Sequence, residues 1–280
     1  MRMTGWRSLL FVPATSPQLL AKAVRSGADA VIVDLEDSVA PERKAEARRL
    51  AQEAIAAHGN EVPLLLRVNA QPGWLREDLA QAPLDRLQGL MLPKVESAQQ
   101  VVDVQETLAR LGAPQLPIAV LIETARGVLH AERIAAASPN VAALGFGAED
   151  YASEMGVAPQ PPSLLWPAQQ VATCARAFGQ ACWGLPGSIA EIADMEAFGA
   201  LVLQARAVGF TGTVCIHPKQ VAVANQGFGP SAAELEWARK VVAADEDAQR
   251  RGLGAVQLDG KMIDRPIVER ARRWLQLPPR

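Results

Sequence analysis

The sequence predicts an α/β chain built as a (β/α)8 TIM barrel over residues 1–225, with a C-terminal helical or lid extension over 226–280. Two observations carry this. Eight short apolar runs alternate with helix-length segments, the order expected of a parallel sheet wrapped in helices. Polar residues stand directly after several of the runs: Glu36 and Asp37, Arg67 and Asn69, Lys94 and Glu96, Glu123, Glu149 and Asp150, His217 and Lys219. Strand C-termini carry the active site in such barrels, so these residues belong to one rim. A doubly wound open sheet is the runner-up. No GxGxxG follows the first run, which argues against a simple dinucleotide site.

Taken in order, Arg7–Pro13 is the first strand and Pro17–Ser26 its helix. Ala30–Asp34 is the second strand, followed by a helix from Pro41 to Ala57, with Pro41 and Glu42 suited to a first turn. Leu64–Val68 is the third strand and Trp74–Ala82 a short helix. Leu90–Pro93 is the fourth strand, and the helix Ala98–Leu111 ends at Gly112. Ile118–Ile122 and Val141–Phe146 flank the helix Ala125–Ala137 as a βαβ unit. The helix Leu164–Phe178 leads to a weak seventh strand, Ala181–Leu185. The helix Asp194–Val208 leads to the eighth, Thr213–Ile216. A long helix, Ala232–Ala248, and a C-terminal tail follow.

At 280 residues, 49% hydrophobic and 21% charged, the chain can bury a large core in one such domain. A net charge of −2 provides no basic field for nucleic acid. No apolar run approaches the length of a membrane span, and Leu9–Val12 is too short for a signal peptide. Cys174, Cys182 and Cys215 lack close spacing and read as reduced core residues of a cytoplasmic protein.

Parallel strands end on the same side, so Glu123 and Asp150 should face one pocket. Two neighbouring carboxylates without a cation would repel, and one would keep its proton. Mg2+ or Mn2+ resolves this, since hard cations take oxygen ligands; the plain alternative is two solvated loop acids. Arg67, inside an apolar strand end, needs an anion. Either it bridges to Glu36 or Asp37, or it clamps a substrate oxyanion and stabilises an enolate. Lys94 could hold the carboxylates or reach solvent. His217 reads more simply as a satisfied structural residue than as a base. No Ser–His–Asp order or zinc-type cluster stands in the chain.

The segments RSLLFVPA, VIVDLEDSVAPERKAEAR, RVNA, LMLPKVES, IETARGVL, FGAEDYASEMG, GFTGTVCIHPKQ and GKMIDRP occur in this order across nearly the whole chain. The pattern resembles the citrate lyase beta-subunit-like family of the HpcH/HpaI aldolase superfamily, which includes malyl-CoA and citramalyl-CoA lyases. The resemblance implies a Mg2+-dependent barrel, a homotrimer or hexamer, that makes or breaks a carbon–carbon bond beside an acyl-thioester carbonyl. Carried over by position, it makes Glu123 and Asp150 the metal carboxylates and Arg67 the substrate arginine. The CoA-contacting positions become Phe11, Gln18, Lys22, Ile216 and His217. Asp264 becomes a catalytic aspartate that reaches a neighbouring subunit's site. Read from the residues alone, Asp264 is a helix N-cap, with Pro266 in the first turn. The chain departs from the family pattern at Ala14, Gln18, Ala168 and Thr213, and an aspartate usual near Cys182–Gly184 is missing.

The expected function is therefore a metal-dependent carbon–carbon lyase of a carboxylated 3-hydroxyacyl-CoA such as malyl-, citramalyl- or citryl-CoA. The alternatives are a metal-dependent aldolase of free 2-oxoacids and a silent paralogue that binds an oxyacid or a partner. Neither nucleic acid nor membrane is expected as a partner.

Overall fold

The computed structural model describes residues 3–252 and 255–276. It divides into two compact units, residues 1–228 and residues 229–280. The first carries eight parallel strands: β1 (Ser8–Pro13), β2 (Ala30–Asp34), β3 (Leu64–Arg67), β4 (Gly89–Leu92), β5 (Ile118–Ile122), β6 (Val141–Phe146), β7 (Ala181–Gly184) and β8 (Thr213–Cys215). β1 through β7 pair in chain order, and β1 also pairs with β8. A Trp183–Gly212 bridge, with the Gly184 amide donating to the Gly212 carbonyl at 3.1 Å, draws β7 to β8 and nearly closes the barrel. The open-sheet alternative is thereby set aside.

Helices occupy the crossovers: α1 (Pro17–Ala23), α2 (Lys44–His58), α3 (Pro72–Gln81), α4 (Ala98–Arg110), α5 (Ala125–Ala135), α6 (Ala148–Met155), α7 (Pro161–Ala177), α8 (Met195–Ala207) and α9 (Pro218–Gly227). The expected helix from Pro41 splits, because Pro41–Arg43 forms a separate 3-10 turn before α2. Two helices lie where none was expected. α6 is short, and α9 opens at the His217–Pro218 pair that reads as a strand end.

Strand side chains alternate between two cores. Val31, Val33, Leu64, Leu66, Val120 and Ile122 pack outward with the helices. Leu9, Ile32, Leu65, Met91, Ala119, Leu121 and Trp183 fill the barrel interior. Met3 and Trp6 join this inner core, with Trp6 stacked on Trp183 at 6.0 Å. The two-residue period carries the inner face upward from Ile32 to Asp34, from Leu65 to Arg67 and from Leu121 to Glu123. The polar rim is thus the top layer of the same interior.

The second unit contains α10 (Ala232–Arg250), an antiparallel hairpin of β9 (Val256–Leu258) and β10 (Lys261–Ile263), and α11 (Arg265–Gln276). Its small core joins Ala238, Val241, Ile263, Val268 and Ala271. The extension read as helical therefore also holds a hairpin. Its turn places Asp259 and Gly260 at φ of 48° and 76°, a conformation glycine takes freely. Among the described residues no helix is long and apolar enough to cross a membrane. Cys174, Cys182 and Cys215 are buried and unpaired, as expected of core thiols.

Candidate metal and oxyacid site

Glu123 directly follows β5 and directly precedes Thr124, whose hydroxyl caps α5 by accepting the Gly127 amide at 3.0 Å. A strand end on one side and a capped helix on the other leave its backbone little freedom. Glu123 is only 4% exposed, and its Oε2 accepts the Lys94 amide at 2.7 Å. A Cβ on Gly147 would stand 2.5 Å from both Cγ and Oε1 of Glu123, so glycine there makes room for the carboxylate. Burial, and then the charge of Asp150, push the Glu123 carboxyl up to about 7; the Lys94 amide and Arg67 act in the opposite direction. Asp150 lies in the first turn of α6 and is exposed. The charge of Asp150 thus reaches the Glu123 carboxyl. Glu149, next to Asp150, is engaged instead by the Ser188 hydroxyl.

Arg67 makes the expected bridge to Glu36 and adds a stronger, unexpected one to Asp34. It binds Asp34 through Nε at 2.6 Å and Nη2 at 2.7 Å, and its Nη1 stands 3.1 Å from Glu36 Oε2. Asp37 does not take part; it pairs with Lys94 at 3.0 Å. The reason is register. Asp34 and Arg67 are direct partners on β2 and β3, whereas Asp37 lies beyond the strand on the loop. Burial pushes Asp34 up, but hydrogen bonding and charge from Arg67, with Ser38 and the Glu36 amide, outweigh it and hold the carboxyl below its ordinary value. Burial would lower Arg67; Asp34, Glu36 and Glu123 together raise it. Phe11 places its ring 4.6 Å from the guanidinium.

Lys94 takes the carboxylate-holding role. Its ammonium donates to Glu36 Oε1 at 2.7 Å and to Asp37 Oδ1 at 3.0 Å. Its backbone is left-handed, with φ of 54°, an uncommon state for a residue with a side chain. Burial pushes Glu36 up, and that exceeds the relief from Arg67 and Lys94. Lys44 stabilises the same loop from below, with Nζ 2.7 Å from the carbonyls of both Leu35 and Glu36. Asp34 enters the sequence analysis only as the end of the second strand, and Lys44 only inside a helix; neither is named there as a site residue. A charged residue closing each of two consecutive apolar strands was the available signal for the Asp34–Arg67 pair.

The remaining expected residues divide. Phe11 lies on β1 and Lys22 on α1; Ile216 and His217 follow β8. Because Leu10 pairs with Cys215, Phe11 and Ile216 lie beside each other beyond the β1–β8 register. Lys22 and Ile216 are exposed. His217 caps α9, its Nδ1 accepting the Lys219 amide at 3.2 Å, and Gln220 completes the box. This is the structural role its residue type suggests. Asp264 precedes α11, and its carbonyl accepts the Ile267 and Val268 amides, each at 3.1 Å. Its Oδ1 is buried without a hydrogen-bond partner among the described residues, so the side chain does not cap the helix through that oxygen. Among the described residues no three or more His, Cys, Asp or Glu side chains gather as a metal cluster. The metal candidates are the two carboxylates Glu123 and Asp150.

A nearly closed parallel barrel with a carboxylate-rich C-terminal rim defines the class: a (β/α)8 enzyme with its chemistry above the inner core. The chain belongs to the HpcH/HpaI aldolase/citrate lyase family, whose model matches residues 7–218. It is 38% identical over 276 residues to the citrate lyase subunit beta-like protein of Deinococcus radiodurans, covering 96% of each chain. It is 34% identical to the L-malyl-CoA/beta-methylmalyl-CoA lyase of Rhodobacter capsulatus, covering 95% of this chain and 92% of that one. It is 36% identical to a (3S)-malyl-CoA thioesterase of Cereibacter sphaeroides, with 96% and 93% covered. The structure of CitE from Mycobacterium tuberculosis in complex with magnesium, acetoacetate and coenzyme A superimposes with a TM-score of 0.80 at 32% identity, covering 98% of each chain. At the level of enzyme class, the expectation of a metal-dependent carbon–carbon lyase stands.

Proposed function

We propose that this chain is a Mg2+-dependent lyase of a carboxylated 3-hydroxyacyl-CoA of the malyl-, citramalyl- or citryl-CoA kind. The observation that carries the reading is Glu123, a carboxylate buried beside Asp150 with its proton affinity raised to about 7. Two acids so placed carry a repulsion that an oxygen-preferring divalent cation removes. The donors are all oxygen, which suits Mg2+ and also Mn2+. The cation would supply Lewis acidity at the oxygen atoms of the hydroxy acid.

In this reading the bond between C2 and C3 of the thioester breaks. The C3 oxygen gives up its proton and becomes the carbonyl of an oxo acid. The electron pair passes to C2 as the thioester enolate, which then takes up a proton. Arg67 donates hydrogen bonds to the enolate oxygen, from a side chain that is 11% exposed and so largely shielded from water. Asp264 moves the proton at C2, reaching the site from a neighbouring copy in a homo-oligomer. Phe11, Lys22, Ile216 and His217 flank the β1–β8 seam, where CoA would lie.

The test offers malyl-, citramalyl- and citryl-CoA with Mg2+ and follows free thiol and carbonyl product together. Carbonyl without thiol is the expected result. Thiol without carbonyl would mean thioester hydrolysis, the activity named for the C. sphaeroides relative. No turnover of any thioester, with Mg2+ binding intact, would move the assignment to free 2-oxoacids. Asp264→Asn should lower turnover by roughly 10²–10⁴-fold without loss of metal binding. Mixed oligomers of inactive Asp264→Asn and inactive Glu123→Gln chains should recover part of the activity. Confirmed mixed oligomers with no recovery would remove the intersubunit role.

A further inference from the structure

We propose that Asp34 is a positioning residue for Arg67, turning a flexible cation into a hydrogen-bond donor of fixed direction. The substrate side of this inference rests on the lyase reading, but its first test does not. Asp34 is 1% exposed and sits at the register position directly opposite Arg67, so both side chains enter the barrel interior at one height. The carboxylate grips one edge of the guanidinium at two points, Nε at 2.6 Å and Nη2 at 2.7 Å, which fixes its plane. Asp34 is itself held from behind. It accepts the Glu36 amide at 2.9 Å, the Ser38 hydroxyl at 2.5 Å and the Ser38 amide at 3.3 Å.

Two further contacts complete the frame. The Phe11 ring covers the guanidinium at 4.6 Å. Glu36 Oε2 stands 3.1 Å from Nη1 as an ion pair, yet has no hydrogen-bond partner. The Nη1–Nη2 edge therefore keeps N–H groups that neither acid uses. Lost without Asp34 would be direction rather than charge, since guanidinium stays protonated in any protein environment. A catalytic donor acts through direction, because its hydrogen bonds must meet the oxygen where charge develops. A purely structural ion pair would affect stability alone.

The first test uses the whole chain labelled with 15N-arginine. The Arg67 Nε–H resonance is identified by its loss in Arg67→Lys. In Asp34→Asn its exchange with water should quicken by at least about tenfold, because the acceptor that shields it is gone. In the second test Asp34→Asn should lower kcat on the order of 10–100-fold, with KM and Mg2+ affinity nearly unchanged, as for other supporting contacts. In the Arg67→Lys background the same substitution should change kcat by less than about twofold, because no guanidinium remains to be placed. Unchanged Nε–H exchange would overturn the proposal. So would an equal kcat loss in both backgrounds, or a loss matching the unfolded fraction in a thermal melt. If the wild type turns over no thioester, the lyase reading fails and the resonance test still decides the role of Asp34. If Asp34→Asn does not fold, Ser38→Ala removes the hydroxyl behind the carboxylate and should produce the same changes in smaller measure; no change in that variant would likewise overturn the proposal.

Discussion

Replacing Gly147 with alanine should weaken Mg2+ binding without touching a ligand. Gly147 has φ of −89° and ψ of 93°, a conformation alanine tolerates, so the backbone does not require glycine. The requirement is space. The new Cβ would lie 2.5 Å from Glu123 Cγ and Oε1 and 2.9 Å from Cδ. Carbon contacts settle near 3.5–4.0 Å, so the carboxylate must retreat by about 1 Å. It cannot do so freely, because the Lys94 amide holds Oε2 at 2.7 Å and the side chain is buried. Disturbing a ligand's placement in this way should cost roughly 10–100-fold in metal affinity, about 1.4–2.7 kcal/mol. Overpacking should also lower fold stability by about 1–3 kcal/mol. Calorimetric Mg2+ titration and a thermal melt separate the two effects. Gly145→Ala is the control: it faces the same interior two residues earlier, but its Cβ meets Leu121 Cδ2 and not Glu123. It should lower stability and leave Mg2+ affinity intact. Wild-type affinity in Gly147→Ala would refute the placement of Glu123 at the metal.

Three further outcomes follow from the same geometry. Glu123→Gln and Asp150→Asn should each abolish measurable Mg2+ binding while the fold survives, because each leaves one anionic ligand to hold the cation; unchanged calorimetric affinity in both would sink the assignment. The metal-free protein should also show a pH signature. Burial holds the Glu123 carboxyl up at about 7 in the fold against an ordinary 4.5, so across that window the folded state holds a proton that the unfolded state releases. Its contribution to stability therefore falls as pH rises from 4.5 through 7, reaching a penalty of roughly 3 kcal/mol above it. Glu123→Gln removes the penalty, so its stability advantage in EDTA should be larger at pH 8 than at pH 5; equal differences in denaturant titrations would contradict the burial argument. Finally, burial raises all three thiols, Cys215 up to about 12 and Cys182 further, so none should react with a thiol reagent until the protein unfolds. Stoichiometric labelling of the native protein would contradict the core assignment.

The barrel was legible because its strands are short, apolar on both faces and separated by helix-length segments. Even the weak seventh run, Ala181–Leu185, holds its place as Ala181–Gly184. α9 was not legible, because His217–Pro218 reads as the end of a strand while serving as a cap and first turn. The β9–β10 hairpin was hidden in a polar tail whose strands span three residues each, too short for a periodic signal. At the candidate site, Glu123, Asp150 and Arg67 were visible as charged residues at or just past the ends of apolar runs. Of the partners of Arg67, Glu36 was visible as an acid just past a strand, but Asp34 was not, because only the β2–β3 register sets it directly opposite Arg67. The left-handed backbone of Lys94 has no sequence signal at all, since lysine carries no preference for it.

Register also determines what kind of cation Arg67 can be. An arginine alone at the rim would attract any carboxylate that diffused in. Here Asp34 and Glu36 already answer its charge, and Glu36 and Asp37 answer that of Lys94. With Glu123 and Asp150 added, five carboxyl groups stand against the three cations Arg67, Lys94 and Lys44, so acids still outnumber bases and the rim repels a free oxyacid more than it attracts one. A divalent cation at Glu123 and Asp150 would reverse that balance for a chelating oxyacid, while Arg67 supplies direction rather than net charge. Oxyacid binding should therefore depend strictly on Mg2+. Pyruvate titrated in EDTA should give no calorimetric signal, and the same titration with Mg2+ should saturate. Equal pyruvate affinity with and without Mg2+ would show that Arg67 attracts anions unaided, and the quenching argued from Asp34 and Glu36 would be wrong.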